Sequence, residues 1–263
     1  MTDFRVNGLV IRETEHKDND KLLTVLTEKY GKLYVIGKGV KSLKNRHMAS
    51  SQLFAYSSLN LRKTGNNLYY ITDSDLIENY YEIRNDILKL SLATFVCDVL
   101  CEVSREGTED ISILRLALNT FYAIAKDIKS LEFIRASFEL RILTECGFMP
   151  DLSHCRDCGC ELPSIATLDI MNGNFVCNKC MEKISFTNAE NTFFDTGMQR
   201  PVSIISDSVL QAMRYVCTSR QERFLSFRLD ESEQEMFFQV CEKYLLNQLE
   251  RGFYSLEFYK SMI

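Results

Sequence analysis

Up to about Glu82 the apolar positions fall in short bursts divided by polar turn signals, a pattern of strands and not of helices. "FRVNGLVIRET" is rich in β-branched residues, "LLTVLTE" follows the polar "EHKDNDK", and "YGKLYVIGKGV" comes next. In "LFAYSSLNLRK" a period of two sets Leu53, Ala55, Leu59 and Leu61 on one face against Phe54, Tyr56, Asn60 and Arg62 on the other, so one side meets water. "TGNNLYYITD" supplies a hairpin turn at Gly65 to Asn67 and a fifth strand. Five strands in some eighty residues, with no helix long enough for a parallel crossover, predict a small closed antiparallel barrel.

From Ile83 the period changes. Ile83, Ile87, Leu90, Phe95, Val99 and Val103 recur at three to five residues, the stripe of an amphipathic helix. A second helix, "DISILRLALNTFYAIAKD", follows the N-cap candidate Asp110, and a third runs from a Ser130 cap to a stop at Gly147, ahead of Pro150. Further on, Ser206 is placed to cap "DSVLQAMRYVCTS", and "ESEQEMFFQVCEKYLLNQLE" opens with acids, as the positive end of a helix dipole favours.

Between these helical groups lies "CRDCGCELPSIATLDIMNGNFVCNKC". Cys155 and Cys158 form one CxxC and Cys177 and Cys180 another, with eighteen residues between the pairs, a spacing typical of a four-cysteine zinc site. Asn172-Gly173 favours a tight hairpin that returns the second pair to the first, giving a zinc-ribbon layout. The competing readings are reduced core thiols, a dithiol redox pair or an iron–sulfur site, and no thioredoxin-like βαβ context surrounds either pair. Cys160 and His154 are alternative ligands for Cys158 or Cys155. With four protein ligands no position remains for an activated water, so the zinc, one per chain, is expected to be structural. The fold class is therefore α+β, a five-stranded barrel over residues 1–80 and an α-helical domain over 81–263 with the zinc ribbon inserted at about 151–186.

Charge adds what periodicity does not. The 263-residue chain has a net charge of −5, yet between Lys29 and Thr72 it holds eight basic residues and no acid, so the remainder sums to −13. Those eight are Lys29, Lys32, Lys38, Lys41, Lys44, Arg46, Arg62 and Lys63. A carboxylate-free cationic band suits a polyanion, because net charge speaks to partners. Five-stranded barrels of the oligonucleotide-binding (OB) type combine such a groove with aromatics on which bases stack. Tyr34, Phe54 and Tyr56 are the stacking candidates here, with Tyr69 beside them.

The other classes have less support. No apolar run approaches the ~18 residues that would cross a bilayer, and the opening residues lack a secretory layout, so a soluble cytosolic protein without membrane contact is expected. "GKGVKS" is not a phosphate loop, since Gly39 stands where Ser or Thr is required. His16, His47 and His154 sit in polar stretches, and no nucleophile–base pattern is legible from spacing. A zinc-ribbon adaptor or an RNA-binding structural protein remains the alternative reading.

The order of these motifs resembles one family. "HKDNDKLLTVLTEKYGKLYVIGKGVKSLKNRH" is similar to the N-terminal signature of the bacterial DNA repair protein RecO family: an acidic-polar loop, a "LLTxLTxxxGK" strand and turn, then a basic stretch. "LFAYSSLNL", "ITDSDLIENY" and "IRND" follow in the expected order, then a helical body, the four-cysteine insertion and the close "YLLNQLERGFYSLEFYKSM". The resemblance implies a non-catalytic recombination mediator, bacterial and nucleoid-associated in the cytoplasm. Such a protein binds single- and double-stranded DNA, promotes annealing, docks the acidic tail of single-strand-binding protein, and with RecR helps load RecA. On that reading Lys38, Lys41, Lys44 and Arg46 neutralise phosphates, with Lys32, Arg62 and Lys63 extending the strip. Family members without the metal-binding cysteines exist, so the ribbon is not the source of the shared activity.

Overall fold

The computed structural model describes residues 3–64, 67–162, 165–183 and 202–263; the hairpin turn expected at Gly65 to Asn67 lies largely outside them. The chain divides into two compact units, residues 1–128 with 253–263, and residues 129–252. No helix among the described residues is long and apolar enough to cross a membrane.

The first unit is built on a closed barrel of β1 (Asp3–Glu15), β2 (Lys21–Thr27), β3 (Gly31–Gly37), β4 (Tyr56–Lys63) and β5 (Leu68–Glu78), in the order β1-β2-β3-β5-β4. The pairs are antiparallel except β3 with β5, which run parallel, so the expectation of a wholly antiparallel barrel is corrected at that seam. The long β3–β4 connection, residues 38–55, takes the chain from β3 to β4 beside β1, and β5 closes the barrel between β3 and β4. Alternation fills the interior with Val10, Leu23, Val25, Leu33, Val35, Leu59 and Leu61, while Tyr69 and Ile71 pack against them from β5.

Helices α1 (Tyr81–Arg84), α2 (Ile87–Val103) and α3 (Ile111–Ala125) follow the barrel. Asp86 caps α2 by accepting from the backbone N–H groups of Leu88 and Lys89. Asp110 stands at the N-cap of α3 but makes no capping hydrogen bond; its carboxylate accepts from the Thr108 hydroxyl. The buried set of α2 is broader than a single stripe, including Leu92, Ala93, Phe95, Val96, Val99 and Leu100, because β1 and the C-terminal helix both pack on it. Ile87, expected on the buried stripe, is 53% exposed because it is the first helical residue.

The loop after α2 is tied to the barrel. Lys32 N–H donates to the Arg105 carbonyl at 3.0 Å, and at Gly31 (φ +58°) a Cβ would lie 2.1 Å from that same oxygen, so only glycine allows the approach. Phe253 packs edge-on against Phe95 within this unit, and Ser255 of the last described helix donates to Asp98 at 2.7 Å.

The second unit begins with α4 (Leu131–Glu145), capped by Ser130 and stopped before Gly147 at φ +86°, as the sequence predicts. A four-stranded sheet follows in the order β6-β8-β7-β9, from β6 (Asp151–Cys155), β7 (Ile165–Asp169), β8 (Asn174–Cys177) and β9 (Val202–Ser206). Then come α5 (Asp207–Thr218), capped by the Ser206 hydroxyl, and α6 (Glu231–Gln248), with Glu231 and Glu233 in its first turn; the C-terminal helix α7 (Tyr254–Lys260) belongs to the first unit. Arg135 on α4 is buried among three carboxylates, donating to Glu132 at 2.9 Å, Glu139 at 2.7 Å and Glu242 of α6 at 2.9 Å.

Candidate metal centre and cationic barrel face

Each unit carries one chemical feature that the sequence singles out. In the second unit, β6 delivers Cys155 at its end, and the chain turns at Gly159 (φ +69°), whose N–H donates to the Cys155 carbonyl at 2.9 Å. The β7–β8 hairpin closes through Gly173 at φ +63°, with Asp169 accepting from the backbone and side-chain N–H groups of Asn172. That turn aligns Ala166 with Cys177 across the ladder and sets Cys177 beside Cys155, while helical residues 178–183 supply Cys180.

The four sulfurs of Cys155, Cys158, Cys177 and Cys180 all lie within 4.8 Å of one another. A tetrahedral site with metal–sulfur bonds of about 2.3 Å has edges of about 3.8 Å, and Cys158 Sγ lies 3.8 Å from Cys177 Sγ. The donor set fits a metal ion. The Cys177 N–H also donates to Cys155 Sγ at 3.3 Å. Burial would raise the Cys155 thiol, but the backbone N–H groups of Cys177, Cys158 and Asp157 outweigh it and bring it down to about 6, which favours the thiolate a metal requires. Cys160 is exposed, with its sulfur 3.3 Å from that of Cys158, beside the four and not among them; His154, whose backbone pairs with that of Glu161, is likewise outside the cluster.

In the first unit the basic residues lie on β3, on β4, in the β2–β3 turn and in the loop after β3. Hydrogen bonds pin that loop: Gly39 N–H to Asp20 at 2.8 Å, Asn45 to the Lys38 carbonyl at 2.9 Å and His47 N–H to Asn45 at 2.8 Å. Lys38 Nζ lies 4.3 Å from the centre of the Tyr70 ring, on the outward face of β5. Arg62 stands opposite Tyr70 in the β4–β5 ladder, and Arg46 donates to the Thr72 carbonyl at 3.3 Å, so Lys38, Arg46 and Arg62 gather along the same stretch of β5. Lys44 and Lys63 are exposed, without an acidic partner among the described residues. Lys41 turns toward the β1–β2 connection, bonding Glu15 at 3.2 Å and the Lys17 carbonyl at 3.3 Å. Lys32 is half-buried and donates to the Cys101 carbonyl of α2 at 2.7 Å.

The band is free of acids only along the sequence. In space Asp3 meets Arg62, Asp73 meets Arg46 and Glu15 meets Lys41, all from neighbouring barrel strands. The expectation of an unneutralised strip is corrected accordingly: strand register brings in carboxylates that lie outside the basic segment.

The aromatic candidates also separate. Phe54 is 1% exposed, held at φ +67° with its ring 5.4 Å from Phe121, and this placement removes it as a stacking surface. Its backbone pairs with Val10 ahead of β4, so the period of two does not reach it. Tyr56 is half-buried at the start of β4, six residues from Arg62 or about 20 Å along a strand, and burial, with Glu28 adding to it, raises its phenol. Tyr69 packs inward against Phe4. Tyr34 is half-exposed on β3, opposite Leu68. Tyr70, which the sequence reading passed over, is the aromatic among the cations; the alternation of "LYYITD", with Tyr69 and Ile71 inward, is the signal that marks it.

Both units fall within matches to known proteins. A family model described as "Recombination protein O N terminal" matches residues 1–80, and "Recombination protein O C terminal" matches residues 84–187. A protein named DNA repair protein RecO from Acetivibrio thermocellus is 29% identical over 263 residues, covering 100% of this chain and 98% of its own. Its namesake from Alkaliphilus metalliredigens is 26% identical over 260 residues, covering 98% and 99%. With an OB-type barrel under the first match and the cysteine cluster under the second, the chain belongs to the RecO family, whose role lies in DNA repair by recombination.

Proposed function

We propose that this chain is a recombination mediator that holds single- and double-stranded DNA on the outward β5 side of its barrel. The observation that carries the reading is the gathering of Lys38, Arg46 and Arg62 along β5, on a barrel of the OB type. Phosphates displace bound cations from such a face, so affinity should fall steeply with salt and depend little on sequence. Annealing follows from the same property: a positive surface offsets the repulsion between two complementary strands without gripping their base edges. Exposed ion pairs such as Arg62 with Asp3 contribute little stability and open when a phosphate competes.

The role requires no catalytic centre. The ion at the cysteine cluster is zinc, held by Cys155, Cys158, Cys177 and Cys180, and its binding contributes folding energy to the second unit. RecR and the acidic tail of single-strand-binding protein are the expected protein partners, with RecA loaded as the outcome, in the bacterial cytoplasm. A fluorescence annealing assay with complementary oligonucleotides, run beside competition by structured RNA, tests the reading. Accelerated annealing, and single-stranded DNA binding at least as tight as RNA binding, are expected. RNA preference without annealing would favour an RNA adaptor instead.

A further inference from the structure

We propose that Tyr70 is a stacking platform for one unpaired nucleobase, and that Lys38 is its cover in the free protein, exchanging the ring for a phosphate when a strand arrives. The inference rests on the DNA-binding reading and assigns the base contact within that site. Three observations carry it. Inward packing of Tyr69 and Ile71 leaves Tyr70 on the outer surface of β5, half-exposed. Its ring is the one whose face carries Lys38 Nζ, at 4.3 Å, and Arg62 lies directly across the ladder. The Arg46 guanidinium bonds the carbonyl of Thr72, two residues along the same strand.

A strand whose phosphates follow these cations therefore passes over the Tyr70 ring. An exposed ammonium–ring contact is weaker than a base stacked on an aromatic, and the displaced ammonium gains a phosphate, so the exchange runs toward the bound state. Tyr34 on the adjacent β3 is offset by two positions, since Ile36, not Tyr34, is the residue paired with Tyr70, and it extends the aromatic surface along the seam. Stacking is tolerant of base identity, which suits a mediator that must accept any sequence.

The chain contains no tryptophan, so Tyr70→Trp introduces a single reporter at the proposed contact. Titration with oligothymidylate should quench that fluorescence with the same midpoint as the anisotropy of a labelled strand. Tyr70→Ala should bind about tenfold more weakly with an unchanged log–log salt slope, because a stacked base releases no counterion, and Tyr70→Phe should bind as the parent does. Anisotropy that reports binding while the indole of the Tyr70→Trp variant stays unquenched, or Tyr70→Ala binding as tightly as the parent, overturns the assignment and leaves the DNA-binding reading standing. Absence of any oligonucleotide binding by the parent protein overturns both.

Discussion

Asp3 and Arg62 face each other across the β1–β4 ladder and share two hydrogen bonds, of 2.7 and 2.8 Å. The guanidinium holds the Asp3 carboxyl below the usual carboxylate range, so at neutral pH the pair is fully charged and Arg62 is partly spent on its own barrel. Asp3→Asn should free it. Oligonucleotide affinity should rise several-fold at low salt, and the gain should vanish at high salt, where the field of Arg62 is screened. Anisotropy titrations at two salt concentrations measure this.

The same logic separates Lys41 from Lys44 and Lys63. Lys41 is occupied by Glu15 and the Lys17 carbonyl, whereas the other two have no acidic partner among the described residues. Lys44→Gln and Lys63→Gln should each weaken strand binding more than Lys41→Gln does. Equal losses in a binding assay at fixed ionic strength would mean that the Glu15 pair does not hold Lys41 back.

In the four-cysteine cluster, Cys155 is buried and accepts the Cys177 N–H, while Cys158 is exposed. Cys177→Ser with Cys180→Ser should abolish stoichiometric metal and lower the melting temperature of the protein, because a structural ion's binding energy is folding energy. Cys160→Ser should keep the metal. Metal content by elemental analysis, with calorimetry on the same samples, reads both.

Arg135 brings three carboxylates around one guanidinium, more negative charge than it can balance in a buried site. Burial, reinforced by Glu242 and Glu132 against the pull of Arg135, pushes Glu139 up to about 8, so this most deeply buried acid keeps its proton at neutral pH. A folded-state value above the ordinary one means that stability is full at low pH and is lost as pH rises toward 8. Wild type should therefore weaken relative to Glu139→Gln across roughly pH 5 to 8 in denaturant titrations. Arg135→Met should cost about 3–5 kcal/mol, since it strands the remaining acids.

Local pattern carried most of the architecture. Short apolar, β-branched bursts divided by polar turns mark the five barrel strands, the Ser130 and Ser206 caps and the Gly147 stop bound helices as expected, and Asn172-Gly173 closes the hairpin that brings the second cysteine pair to the first. What stayed hidden depends on register between distant residues. Nothing local tells that Asp3 will lie against Arg62, 59 positions away, or that β3 and β5 will pair in parallel. Phe54 misled for a related reason: its left-handed backbone turns the ring inward onto Phe121, a residue from a helix that the strand pattern does not foresee. Tyr70 was legible in the alternation, but its importance came only with Lys38 and Arg62 beside it.

The most direct measurement is the salt dependence of single-strand binding by the parent protein and by a triple variant, Lys38→Gln, Arg46→Gln and Arg62→Gln. Each lost phosphate contact removes about 0.7 from the log–log slope, so the variant should be shallower by about 2. Parallel lines for the two proteins would contradict a DNA-holding role for the outward face of β5.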